Sequence, residues 1–164
     1  MNLCATSNFS FMAAATTLLN IPPEALASFK EVKRRAVQWK VYRIDEASFS
    51  LVEDHSGSPP GTPSAKAVAD LVRVLPPADG RYFVFDLPIK NSYGGSGSKL
   101  LFFTWSPTSA GRANVIYAAQ RRALDGAFTG VIDAHATCRD DVEAALKTVD
   151  GTKKSDDDAW DPDS

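Results

Sequence analysis

The chain has 164 residues, 44% hydrophobic and 23% charged, enough to bury one core without disulfides or metal. Its two cysteines, Cys4 and Cys138, form no framework, which suits a reducing compartment. The formal net charge of −2 hides an uneven distribution: residues 1–23 contain no Asp, Glu, Lys, Arg or His, and residues 150–164 set six aspartates against Lys153 and Lys154. The remainder is only slightly basic, too little for a nucleic-acid footprint.

The uncharged start lacks the basic n-region of a signal peptide, and its apolar run from Phe9 to Leu19 is too short to span a bilayer. Residues 1–16 read as a flexible extension, with Met12 an alternative start. Pro22-Pro23 precede an apolar stripe of Leu26, Phe29, Val32 and Ala36, predicting a helix from about Pro23 to Arg35. Trp39 to Ile44 alternates as a strand, and Phe49 and Leu51 mark a second short one. Residues 54–64 are loop by composition. Ala67, Val68, Leu71, Val72 and Leu75 predict a second helix stopped by Pro76-Pro77. Arg81 to Asp86 and Lys99 to Trp105 read as a hairpin whose tip is the Gly/Ser-rich run from Asn91 to Ser98. A long helix is expected from about Ala110 to Phe128, laying Ile116, Ala119, Ala123 and Ala127 against a sheet. Val131 to Ala136 is a last strand, and a final helix runs to about Val149, with Asp140-Asp141 favouring its start. The 151–164 tail is too polar to fold and is expected to be disordered. This order describes one α/β domain of the α+β type, a mixed sheet between helices on both faces.

Several features imitate chemistry. Gly94 to Lys99 looks like a phosphate loop, but it leads into a strand instead of a helix and lacks the Walker spacing. Asp133, His135 and Cys138 have ligand chemistry without making a closed set, and His55 lies in another loop. No nucleophile stands with a histidine in a triad pattern. No metal, cofactor or catalytic residue is expected, and an enzyme reading comes last. The basic run Lys30, Lys33, Arg34 and Arg35 reads first as a solvated helix C-terminus and second as a contact for an anionic surface.

Arg81 to Asp86, then Ser98 to Pro107 with its Phe103-Thr104-Trp105-Ser106-Pro107 ending, then Arg112, Tyr117-Ala118 and Ala123-Leu124, together resemble the ADF/cofilin family. Glu24 to Lys33 looks like that family's first helix. The resemblance covers residues 17–150 and implies a five-stranded, mostly antiparallel mixed sheet. It implies an actin-binding protein that engages monomers and filaments, promotes depolymerisation, and acts as a monomer in the cytoplasm with nuclear entry allowed. On that resemblance Arg112, Asn114, Val115, Ile21 and Arg121 would meet both monomer and filament. Lys99 and Lys147 would form the filament-only surface. Lys33, Arg34, Arg35, Arg121 and Arg122 would take phosphoinositide headgroups. Thr16 and Thr17 fall near the family's regulatory phosphoserine.

The chain also departs from the family. Asn114 replaces a usual Lys, so monomer binding is expected to be weaker; Gly97 stands where a base is common and Thr148 replaces another, so severing is expected to be weak. The same fold also serves coactosin- or glia-maturation-factor-like modules that bind filaments or a branching complex without depolymerising them. A nucleic-acid or lipid-surface binder is the reading from a different class, marked by steep salt dependence.

Overall fold

A computed structural model describes residues 18–90 and 95–159. The elements in chain order are α1 (Pro23–Lys33), β1 (Trp39–Asp45), β2 (Ser50–Gly57), α2 (Ser64–Val74), β3 (Arg81–Lys90), β4 (Ser96–Trp105), α3 (Arg112–Gln120), β5 (Val131–Ala136) and α4 (Arg139–Ala159). Short 3-10 turns at Thr108–Ala110 and Arg121–Leu124 flank α3.

The five strands form one sheet in the order β2-β1-β3-β4-β5. All neighbours are antiparallel except β4 and β5, which run parallel with α3 as the crossover between them. Alternation sorts the strand side chains between two cores. Trp39, Val41, Phe83, Phe85, Leu101 and Phe103 face Val68 and Leu71 of α2 and Val142 and Leu146 of α4. Tyr42, Ile44, Tyr82, Val84 and Phe102 face Phe29 and Val32 of α1, Tyr117 of α3, and Leu124 and Phe128 beyond it. Burial on both faces explains why Tyr82-Phe83-Val84-Phe85 is a continuous apolar run. Phe83 and Phe103 stack across the hairpin with centroids 4.5 Å apart, a pairing worth about 0.5–1.5 kcal/mol beyond its buried area.

The β3–β4 ladder extends to Lys90↔Ser96, longer than the hydrophobic run predicts. Pro88 sits inside β3 without harm because pairing with β1 ends at Phe85, followed only by the bond from Asp86 N–H to Gln38 O at 2.8 Å. The missing N–H therefore faces a side with no strand. Strand β2 also runs further than expected, taking Asp54 to Gly57 from the predicted loop. Its apolar signal fades there because an edge strand needs no apolar outer face. A register shift opposite Val41 and Tyr42 leaves Asp54 as the extra residue, and its carboxylate meets Nε of Arg81 at 3.1 Å.

The long helix expected over residues 110–128 is instead α3 of nine residues followed by the 3-10 turn. Of the anticipated face, Ile116, Ala123 and Ala127 pack half-buried against the core and Ala119 is exposed, while Tyr117, Gln120, Leu124 and Phe128 are fully buried. The large side chains carry the packing, and alanine fills in around them. Helix α1 ends at Lys33, two residues early, in a Schellman turn: Ala36 N–H bonds Glu31 O at 2.9 Å and Arg35 N–H bonds Val32 O at 3.0 Å. Arg35 occupies the left-handed position (φ 61°) that usually takes glycine. Helix α4 is assigned as far as Ala159, beyond residue 150 where composition predicts order to stop. No proline interrupts it before Pro162, and a helix already nucleated by packing extends at little further cost. The expected extension 1–16, Thr16 and Thr17, and half of the hairpin tip, residues 91–94, lie outside the described residues. No described helix is long and apolar enough to cross a membrane.

Candidate partner-binding surface

Helix α3 is fixed to the sheet through Tyr117. The Tyr117 hydroxyl accepts the Ile44 N–H at 2.9 Å, and the Tyr82 hydroxyl donates to the Tyr117 carbonyl. Burial pushes both tyrosine pKa values upward, so both phenols stay neutral hydrogen-bonding groups. The approach is close enough that a Cβ on Gly80 would lie 2.5 Å from Cδ1 of Tyr117. Trp105, at the end of β4, donates its indole N–H to Pro76 O at 2.8 Å, and Ser106 N–H reaches Ala136 O at 2.8 Å. These bonds hold the strand end from which the chain turns into α3.

Gly111 (φ 55°) makes the turn that opens α3, placing Arg112 at the first helical position. Arg112, Val115, Ala118, Ala119 and Arg122 form the outward face. Val115 is 52% exposed, one of the few large apolar side chains left in solvent among the described residues. Another is Leu18, at 76%. It enters the fold beside this helix, because the next residue, Leu19, is buried and donates its N–H to Oε1 of Gln120 at 3.0 Å. Asn20 then pairs with Ser50 as a one-residue parallel bridge on the outer edge of β2. The N-terminal segment thus straps α3 to β2, a contact that neither periodicity nor composition signals.

The remaining residues expected on this surface are placed differently from one another. Ile21 is half-buried and packed against the α1/α3 core. Asn114 turns inward, its Nδ2 donating to Pro107 O at 2.9 Å, which ties α3 to the end of β4. Arg121 is already engaged: its guanidinium reaches Asp125 and Asp133 at 2.9 Å each and lies 4.2 Å above the Phe102 ring. It is only 16% exposed and acts as a clamp between the 3-10 turn and β5. Arg122, by contrast, is exposed.

A second region gathers positive charge. Lys33 and Arg35 from the end of α1, with Ser98 and Lys99 from the start of β4 and Gly130 before β5, line a groove of about 400 Å³. Residues assigned by resemblance to two separate surfaces, phosphoinositide and filament, therefore share one groove. Arg34 is exposed on the same turn. Lys147 lines a different groove, about 260 Å³, with Ser64, Val68 and Leu146 between α2 and α4. Beneath the basic groove Asp86 is buried, with Oδ1 unpaired by any protein group. Burial raises its pKa, against the opposing effects of a Ser98 hydrogen bond and the Arg35 charge. Among the described residues no group of three or more His, Cys, Asp or Glu is arranged to hold a metal ion.

The sequence model of the cofilin/tropomyosin-type actin-binding proteins matches residues 18–150, which span the whole sheet, α1 to α3 and the first part of α4. The chain belongs to the ADF/cofilin family. It is 34% identical over 119 residues to actin-depolymerizing factor 5 of Oryza sativa subsp. japonica, covering 71% of this chain and 80% of that one. It is 33% identical over 131 residues to a cofilin of Yarrowia lipolytica (strain CLIB 122 / E 150), covering 78% of each. Among solved structures, actin depolymerization factor 2 of Plasmodium berghei superposes with a TM-score of 0.71 at 21% identity, covering 82% of this chain and 97% of that one. A coactosin from Entamoeba histolytica shares the fold at a TM-score of 0.64 and 16% identity. The ADF/cofilin fold thus accounts for the five-stranded sheet and the helices packed on it.

Proposed function

We propose that this protein binds actin monomers and filaments and promotes filament depolymerisation, working from the cytoplasmic cytoskeleton with entry to the nucleus. The observation that carries the reading is the outward face of α3, where Arg112 stands one turn from the half-exposed Val115 at the edge where Leu18 enters the fold. An apolar side chain beside an arginine, on a rigid and otherwise small-residue helix, is the composition of an interface hot spot. Relatives above 30% identity bear the names actin-depolymerizing factor and cofilin, which favours this reading over a coactosin-like one.

Lys99 and Lys147 contact the filament, and the basic groove with Arg34 and Arg122 takes phosphoinositide headgroups in competition with it. Filament severing is weak, because Gly97 and Thr148 leave that surface short of positive charge. Phosphorylation at Thr16 or Thr17, which precede Leu18 in the sequence, adds negative charge and lowers actin affinity. The protein acts as a monomer.

Co-sedimentation with actin filaments tests the reading. The protein is expected in the pellet, soluble actin is expected to rise, and Arg112→Ala should abolish both. Protein left in the supernatant with actin unchanged would refute it.

A further inference from the structure

The two outer edges of the sheet are guarded unequally. Along the edge of β2, Asn20 N–H donates to Phe49 O and Leu51 N–H donates to Asn20 O, and a bulge at Asp54 bends the strand. Strand β5 forms the other edge, and among the described residues no strand lies beyond it. It pairs with β4 in unbroken register from Val131 to Ala136 and contains neither proline nor lysine. Its one carboxylate, Asp133, is held by Arg121 at 2.9 Å. The charge that would turn another strand away is therefore largely neutralised.

One bond fixes which backbone groups of β5 are left over. Ser106 N–H donates to Ala136 O at 2.8 Å, so the backbone of Ala136 is turned toward β4. Alternation turns Ala134 and Ile132 the same way, and turns the N–H and C=O of Val131, Asp133 and His135 outward. Side chains beside this row are open to solvent. Asp133 and His135 are exposed on the α3 face, opposite Phe102 and Thr104. Ile132, opposite Leu101 on the α4 face, is 38% exposed.

We propose that the free edge of β5 pairs antiparallel with β5 of a second copy of this chain, about a twofold axis at Ala134. In that register Asp133 stands opposite the second copy's His135. Both have outward backbone groups, so each such pair exchanges two hydrogen bonds and sets an imidazole N–H against a carboxylate. Ala134 meets itself at the close, non-hydrogen-bonded position, where a small side chain fits, and Ile132 meets Ala136. Neighbouring registers are poorer. One centred on Asp133 opposes two carboxylates, and one centred on His135 needs the Thr137 N–H, which already donates to Asp141 at 2.8 Å. A pairing this short buries little surface and is weak, with a dissociation constant on the order of 0.1–1 mM. At micromolar concentration the chain stays the monomer of the proposed function, and the pairing does not rest on the actin reading.

Sedimentation velocity of the full chain alone, from about 10 µM to about 1 mM, tests the pairing. The average mass is expected to climb from one chain toward two. His135→Pro removes an outward N–H and no β4–β5 bond, and should weaken association at least about tenfold. A parent chain still monomeric at about 1 mM, or a dimer that His135→Pro leaves intact, would overturn the proposal. Cysteine substitution reads the register without depending on that variant's fold. In a Cys4→Ser/Cys138→Ser background, Ala134→Cys should give a disulfide-linked dimer on mild oxidation, because the two copies of position 134 lie about 4.5 Å apart between Cα atoms. Ile132→Cys should not, since it faces Ala136. Linking at position 132 as readily as at 134, or at neither, would also overturn the proposal.

Discussion

The N–H of Leu19 donates to Oε1 of Gln120 across 101 positions of sequence, at 3.0 Å and away from solvent. One hydrogen bond thereby sets the strand-like entry of the chain beside the helix that carries Arg112 and Val115. Replacing Gln120 with Leu keeps the volume but leaves a buried N–H unpaired, a loss of about 1–3 kcal/mol. Gln120→Leu should lower the unfolding free energy by that amount, read as a lower urea midpoint, and weaken actin binding more than its effect on stability explains, because Leu18 is no longer held at the edge of α3. Binding measured well below the unfolding midpoint separates the two effects.

Arg121 and Arg112 lie nine residues apart and are expected to fail differently. Arg121 joins Phe102, Asp125 and Asp133, so Arg121→Ala removes a largely buried clamp and should destabilise the fold by about 1–3 kcal/mol. Its actin affinity should stay close to that of the parent protein under conditions where it remains folded. Arg112→Ala should show the reverse, lost co-sedimentation with a melting temperature lowered less than by Arg121→Ala. A matching pair of melting curves and pelleting assays checks both.

Arg35 carries a backbone conformation that costs an L-residue about 1 kcal/mol. Arg35→Gly should therefore raise stability by up to that amount, read as a higher denaturation midpoint. The same change removes a cation from the groove, so binding to phosphoinositide vesicles should fall. Stability and binding moving in opposite directions would identify Arg35 as retained for its charge.

Asp86 sets a pH dependence. Its carboxyl titrates above the usual carboxylate range because burial penalises the ion more than Ser98 and Arg35 stabilise it. A carboxyl whose pKa is raised on folding contributes stability that is complete below its unfolded value. That contribution is lost as pH rises through the folded value. Asp86→Asn should therefore raise the melting temperature at pH 7 and give little gain near pH 3. Thermal unfolding at the two pH values decides it.

The sequence made the central strands legible because burial on both faces leaves an uninterrupted apolar record, as in Tyr82 to Phe85. Strand β2 was legible only at Leu51, since from Glu53 to Ser56 it pairs along one edge and its side chains are polar and mostly exposed. The break of the expected long helix at Gln120 left no mark: Arg121 and Arg122 are good helix formers, and the pull comes from Asp133 and Phe102, distant in sequence. The inward turn of Asn114 was equally silent, because its partner is a backbone carbonyl. Family motifs located α3 correctly but could not separate the engaged Arg121 from the exposed Arg122. That distinction depends on tertiary packing alone.

Helix α3 is also the crossover of the one parallel strand pair, and this ties recognition to the order of assembly. The β1–β2 and β3–β4 ladders are local and can close early, whereas β5 must wait for the loop that contains α3 to be drawn over the sheet. Arg112 and Val115 are therefore correctly presented only after β5 has zipped onto β4. Should β5 open transiently, the recognition helix loses one of its two moorings while the antiparallel core stays folded. Amide protons of β5 and α3 would then exchange together and ahead of those in β3, and the least protected unit of the protein would be the one that carries its recognition surface.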